Sequence, residues 1–114
     1  MGVDRKDYVM FAVDINDKKI DFYDDGNEKY LPYIEGHSDV EFSIVDDCMS
    51  RRYCFFGKII KSAEDYDGFD REPIDIDDYT INKIKNQIGE EYYQLFDECL
   101  DINIIKLYCF TKWS

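Results

Sequence analysis

The sequence predicts an α+β fold, in which a small antiparallel β-sheet of about four strands packs against one long helix and a final strand follows the helix. Three observations predict it. Segments rich in β-branched and aromatic residues fill most of the first sixty positions, apolar residues recur at helical spacing between 81 and 100, and a second β-rich run covers 103–113. With 114 residues, we expect one domain, 1–114, built around a single core.

The first strand is predicted within YVMFAVDI, residues 8–15, where odd and even positions are both apolar, as in the interior of a sheet. Residues 16–19, NDKK, supply a turn. A short returning strand is predicted at 20–23, IDFY. The stretch 28–36, EKYLPYIEG, contains Pro32 and is predicted to form at most one helical turn or an irregular cover.

A β-hairpin is predicted next. In DVEFSIVDD, residues 39–47, apolar and polar residues alternate, which indicates a strand exposed to water on one side. The β-rich segment RRYCFFGKIIK, residues 51–61, follows after a connection short enough for a hairpin. Gly57 inside it indicates a bulge or a close backbone contact.

A long amphipathic helix is predicted after position 78. Its apolar stripe repeats at steps of three and four and consists of Ile81, Ile84, Ile88, Tyr92, Leu95 and Cys99, widened by Phe96 and Leu100. Asp77 or Asp78 is predicted to cap its start. Gly89 is unfavourable within a helix and could divide it in two.

The connection between hairpin and helix, residues 62–78, is strongly acidic. Against the single cation Arg71 it holds eight carboxylates: Glu64, Asp65, Asp67, Asp70, Glu72, Asp75, Asp77 and Asp78. Its net charge of −7 is more than half of the −12 of the whole chain. Helix capping explains the carboxylates of 75–78 but not those of 64–72. Such a field repels nucleic acid and anionic lipid and attracts basic proteins, so direct binding to DNA, RNA or a membrane is not expected.

Catalytic and metal-binding patterns are weak. His37 is the sole histidine, and no residue pattern sets a nucleophile beside it, so we do not expect an enzyme. The stretch DYDGFD fails the EF-hand spacing because Gly68 comes two positions too early, and no cofactor is predicted. The cysteines are predicted to be small buried hydrophobic residues in a reducing compartment: Cys48, Cys54, Cys99 and Cys109. With neither a signal sequence nor an apolar run of about 18 residues, a cytoplasmic location is expected.

The acidic connection can instead serve as an interface. Carboxylates two positions apart in an extended chain stand on one side at about 6.6 Å spacing. A basic groove that accepts DNA, which presents one phosphate charge per ~3.4 Å of helix axis along each strand, can accept such a ladder. Aromatic side chains within and after it, including Tyr79, would add anchoring area. The predicted partner-binding residues are Glu64, Asp65, Tyr66, Asp67, Phe69, Asp70, Glu72, Asp75 and Asp77.

In composition and in the segment EDYDGFDREPIDIDD, residues 64–78, the chain resembles the small acidic inhibitors that bacteriophages and mobile elements direct against host nucleases, including anti-CRISPR proteins and DNA mimics. This resemblance implies a non-catalytic inhibitor whose partner is a basic protein such as a nuclease or a CRISPR effector. Three alternatives remain open: an immunity protein against a cognate toxin, a metal-dependent or ligand-binding enzyme, and an acidic loop that only aids solubility. The oligomeric state is not predicted.

Overall fold

The structure is a computed structural model that describes residues 5–20, 25–34, 41–46, 52–64 and 74–113. Its elements, in chain order, are β1 (Arg5–Asp14), β2 (Ser43–Asp46), β3 (Cys54–Glu64), α1 (Asp78–Phe96) and β4 (Lys106–Trp113). Short 3₁₀ helices cover Asn16–Lys18, Asp25–Tyr33 and Ile102–Ile104. The predicted α+β fold, with a four-stranded antiparallel sheet, one main helix and a final strand, is confirmed.

The strands lie in the order β2-β3-β1-β4, so β1 pairs with β3 on one side and with β4 on the other. This interior position explains why β1 is apolar at odd and even positions, and residues 7–13 are all buried. The hairpin partners β2 and β3 pair antiparallel, as predicted. The pairing of β1 with β3 shifts register between Val9 and Met10, which marks a bulge in the long central pair.

One face of the sheet packs against α1. Side chains of β1, β2 and β3 meet the apolar stripe of the helix there, forming a core that includes Phe11, Val13, Ile44, Phe56, Ile84, Ile88, Tyr92 and Leu95. The helix is continuous through Gly89, so the glycine does not divide it in two. A Cβ at Gly89 would lie 3.1 Å from Cγ2 of Ile102, and the glycine thus lets the following 3₁₀ helix approach closely. Helix α1 ends before Asp97, whose φ of 53° is left-handed and whose N–H donates to Tyr93 O.

The opposite face carries a second core made largely of aromatic rings. Phe55 of β3 lies 4.4 Å from Tyr108 and 5.0 Å from Phe110, measured between ring centroids, although β1 separates β3 from the β4 strand of these partners. Ala12 of β1, fully buried, leaves room for rings to meet across the strand. The sheet is therefore curled, with this aromatic face on the concave side.

The curl brings opposite corners of the sheet together. Asp46 ends β2 near one end of β1, whereas Lys112 pairs with Lys6 near the other end of β1. Even so, the Lys112 Nζ lies 3.9 Å from Asp46 Oδ1. Diagonal approach of this kind is how a twisted sheet begins to close into a barrel.

Gly57 lies at a close approach of β1 and β3. A Cβ built there would lie 1.9 Å from the carbonyl oxygen of Phe11 and 2.7 Å from Cα of Ala12. The backbones of β1 and β3 therefore approach so closely that a side chain has no room, and the predicted close contact is confirmed.

Three local predictions need correction. Strand β2 is not wet on one side, because residues 42–45 are all buried between the two cores. The region predicted as at most one helical turn is the longer 3₁₀ helix Asp25–Tyr33, held in place by buried Tyr30 and by Lys29, whose Nζ donates to Leu95 O at 3.2 Å. Of the strand predicted at 20–23, Ile20 lies outside any strand and 21–23 fall outside the described residues.

Candidate protein-binding surface

The acidic connection begins as the end of β3 and leads into the N-terminus of α1. Its central residues lie outside the described part of the chain, and these include the predicted site residues Asp65, Tyr66, Asp67, Phe69, Asp70 and Glu72. Glu64 is described only as the last backbone position of β3. Asp75 and Asp77 are described, and both are exposed.

Asp77 is the N-cap of α1, as predicted. Its Oδ1 accepts a hydrogen bond of 2.8 Å from the backbone N–H of Thr80. Hydrogen bonds from the side chain and then the backbone amide of Thr80 lower the pKa of Asp77 below its ordinary value. The charge at this position therefore also serves the fold, because it satisfies an N–H group at the start of the helix.

Two large apolar side chains stand exposed among these carboxylates. Tyr79 is 77% exposed, the highest value among the large hydrophobic residues that the structure describes, and Ile74 is 42% exposed. Ile76, between them, packs partly buried against the helix-side core and fixes the chain there. Asp75 and the exposed Asp78 complete a surface of alternating charge and apolar area, which we call the acidic-aromatic surface: residues 74, 75, 78 and 79.

The sequence predicted Tyr79 as an anchor, which stays a prediction, and did not single out Ile74, which the structure shows to be exposed beside it. In the run Ile-Asp-Ile-Asp, residues 74–77, both isoleucines are of a residue type common in cores. Only their tertiary surroundings decide which of the two is buried. Alternation along an extended chain gives no signal for Ile74, since side chains two positions apart share a side and both isoleucines would then have packed or both been exposed. The approach to the helix breaks that symmetry, leaving Ile74 outward and Ile76 inward.

The described cysteines have two different environments. Cys54 is buried, and burial, followed by the nearby charges of Asp46 and Asp14, raises the pKa of its thiol to about 12. Cys99 and Cys109 are exposed, so the prediction that they are buried is wrong. Cys99 lies beyond the end of α1, and Cys109 lies on the edge strand β4, which explains both exposures. Cys48 falls outside the described residues.

Within the described ranges, no three or more histidine, cysteine, aspartate or glutamate side chains gather as they would around a metal ion. The sole long helix of this part of the chain, α1, is not long and apolar enough to cross a membrane. Comparison of the chain with protein-family models, with curated proteins and with solved structures gives no match.

Proposed function

We propose that this chain is a non-catalytic inhibitor that binds a basic, nucleic-acid-handling protein through its acidic connection. The partner would be a nuclease or a CRISPR effector, and the connection would occupy the path that nucleic-acid phosphates otherwise take. The interface would combine the carboxylates of 64–78 with apolar anchors at its helical end.

The observation that carries this proposal is the exposure of Tyr79 and Ile74 beside Asp75 and Asp78. Carboxylates alone make a surface soluble, and a solubilising loop has no need of large apolar side chains in water. Protein interfaces, in contrast, combine buried aromatic anchors with a charged rim. Charge then supplies rapid encounter and partner choice, while the anchors supply affinity.

The test begins with capture. Immobilised wild-type chain is exposed to a bacterial or phage-host lysate treated to remove nucleic acid, and retained proteins are eluted with a salt gradient and identified by mass spectrometry. The purified retained protein is then titrated with the chain in the presence and absence of duplex DNA. We expect DNA and the chain to exclude each other, and affinity to fall as salt rises.

Variants locate the contact. Reversing charge at Asp65, Asp67 and Asp70 to lysine should weaken binding about tenfold or more and reduce its salt dependence. Tyr79→Ala should weaken binding by a similar factor but leave the salt dependence unchanged, because it removes area and no charge. The matched control reverses three exposed acidic residues outside the connection, Asp17, Glu41 and Glu90, and changes net charge by the same amount.

If the control triple weakens binding as much as the connection triple, only overall charge matters and the acidic connection is not the interface. Binding of the chain and DNA to the same protein at once would contradict the DNA-competing mechanism.

A further inference from the structure

The two edges of the sheet are treated differently. At the β2 edge, Ile34 forms a parallel bridge with Ile44, so the segment after the 3₁₀ helix Asp25–Tyr33 covers part of that edge. Strand β4, eight residues long, forms the other edge, and in the ranges that the structure describes no segment pairs with its outer side. A long edge strand offers backbone N–H and C=O groups to another strand.

The side chains of β4 also favour strand addition. Its charged residues are Lys106 and Lys112, and the five residues between them, LYCFT, are uncharged. Lys112 is 9% exposed and its Nζ lies 3.9 Å from Asp46 Oδ1, so Lys106 is the exposed charge of this strand. Leu107 is 50% exposed and Cys109 is exposed, which leaves apolar area beside the open backbone.

We infer that β4 pairs antiparallel with β4 of a second copy of this chain, joining two four-stranded sheets into one continuous sheet across a twofold axis. A second copy fits because its own β4 has the same uncharged centre, residues 107–111, with apolar side chains that match those of the first copy. An acidic strand has no exposed cation to meet at this centre, and a basic strand would add charge beside Lys106.

The pairing register follows from charge. An axis through Cys109 would set Lys106 opposite Lys112 of the second copy, twice by symmetry, and like charges directly opposite are unfavourable. An axis through Tyr108 avoids this and sets Leu107 opposite Cys109 of the second copy. In both registers, corresponding faces of the two sheets lie on the same side of the joined sheet. Only the axis through Tyr108 avoids setting Lys106 opposite Lys112.

Salt should act on this dimer in the direction opposite to its effect on the proposed partner complex. Each copy carries a formal charge of −12, so two copies repel at long range. Salt screens that repulsion and leaves the backbone pairing intact. Dimerisation should therefore strengthen as salt rises, whereas binding to a basic protein should weaken, and the failure of one inference does not imply the failure of the other.

The first experiment measures oligomeric state by sedimentation equilibrium across a concentration series at low and at high sodium chloride. We expect a monomer–dimer equilibrium that shifts toward dimer at high salt. Leu107→Lys should raise the dissociation constant roughly tenfold, since it sets a charge in the uncharged centre twice by symmetry. Leu31→Lys is the matched control, because Leu31 is 42% exposed but lies in the 3₁₀ helix Asp25–Tyr33 beside the opposite edge of the sheet, and the variant should dimerise as the wild type does.

The second experiment tests the register. Leu107→Cys sets a new thiol opposite Cys109 of the second copy, at a Cα separation of about 4.5–5.5 Å that suits a disulfide. Mild copper-catalysed oxidation should link two chains at these positions, whereas Ile104→Cys should link no more than the wild type does. A chain that stays monomeric at high concentration and high salt, or a dimer that both lysine variants weaken equally, overturns the inference and leaves the β4 edge to a strand of another protein.

Discussion

At the scale of single residues, Asp7 shows how the ends of the described chain are joined. Its Oδ1 accepts a hydrogen bond of 2.6 Å from Thr111 Oγ1, 104 residues away, and its carboxylate also accepts from Arg5. The hydrogen bond from Thr111 is the main cause that lowers the pKa of Asp7, against the opposing effect of burial. The sequence did not single out this pair, because a contact across 104 positions leaves no local pattern.

We expect Thr111→Val to destabilise the protein more at neutral pH than at low pH. A carboxylate whose folded-state pKa is lowered contributes stability above its unfolded pKa of about 4, and this is lost as pH falls through the folded value. Removing the Thr111 donor removes that contribution only where Asp7 is ionised. Urea unfolding of both proteins at pH 7 and pH 2.5 measures the difference, and an equal loss at both pH values would contradict this role.

Cysteine reactivity should follow burial and pKa. In the native protein, Cys54 should resist iodoacetamide at pH 8, because its thiol is buried and its pKa is raised to about 12. Cys99 and Cys109, both exposed, should be labelled. Peptide mass spectrometry resolves the three sites, and unfolding in urea before labelling provides the control in which Cys54 reacts. Native labelling of Cys54 as fast as Cys99 would show that this end of β3 opens readily.

At the scale of elements, periodicity predicted α1 well because the stripe of a helix is written in neighbouring residues. Tyr92 is buried and Tyr93 is 52% exposed, as adjacent helical positions require. The predicted stripe ran past the end of the helix to Cys99. The helix ends at Asp97 in a left-handed backbone conformation, for which glycine is the usual sequence signal and aspartate is not. The strands were found, but the water-facing side assigned to β2 was wrong, since the sequence does not show that the sheet has a core on each face.

Gly57→Ala should destabilise the protein by about 3 kcal/mol, toward the upper end for an overpacked site, because the new methyl group meets backbone atoms that cannot move aside. Gly26→Ala is the control, since a Cβ there has no atom within 4 Å, and its effect should stay within about 0.5 kcal/mol. Chemical denaturation of both variants gives the free energies of unfolding. A Gly57→Ala protein as stable as the control would mean that β1 and β3 can separate locally at no cost.

At the scale of the whole molecule, the curl of the sheet determines what the second core contains. Rings of β3 and β4 meet across β1, and Lys112 reaches Asp46 at the diagonal corner. Composition predicted ample apolar and aromatic material for a core, but it predicted one core on one face. The curvature of the sheet arises from pairings between strands far apart in sequence, such as β1 with β4. The local sequence of either strand therefore does not predict this curvature. The acidic connection was predicted from charge alone. At its described end, Asp77 caps α1 and Ile76 packs against the helix-side core.

Phe55 and Phe110 should be energetically coupled despite belonging to strands that are not neighbours. Their ring centroids lie 5.0 Å apart, so a double-mutant cycle with Phe55→Leu and Phe110→Leu should give a coupling of about 0.5–1.5 kcal/mol. The control cycle combines Phe110→Leu with Ile88→Val, since Ile88 lies in the core on the opposite face, and its coupling should be near zero. Equal coupling in the two cycles would mean that the curl does not join these rings directly.

The central position of β1 also affects how the protein is made. Strand β1 is synthesised before both of its partners, and its β4 partner, Lys106–Trp113, follows only after β3 and α1. At about 5–20 residues per second, the 49 residues between the end of β3 and the end of β4 take roughly 2.5–10 s. During that time a strand apolar on both faces has one unpaired side. Products of premature release before position 106 should therefore associate with one another and collect in the insoluble fraction.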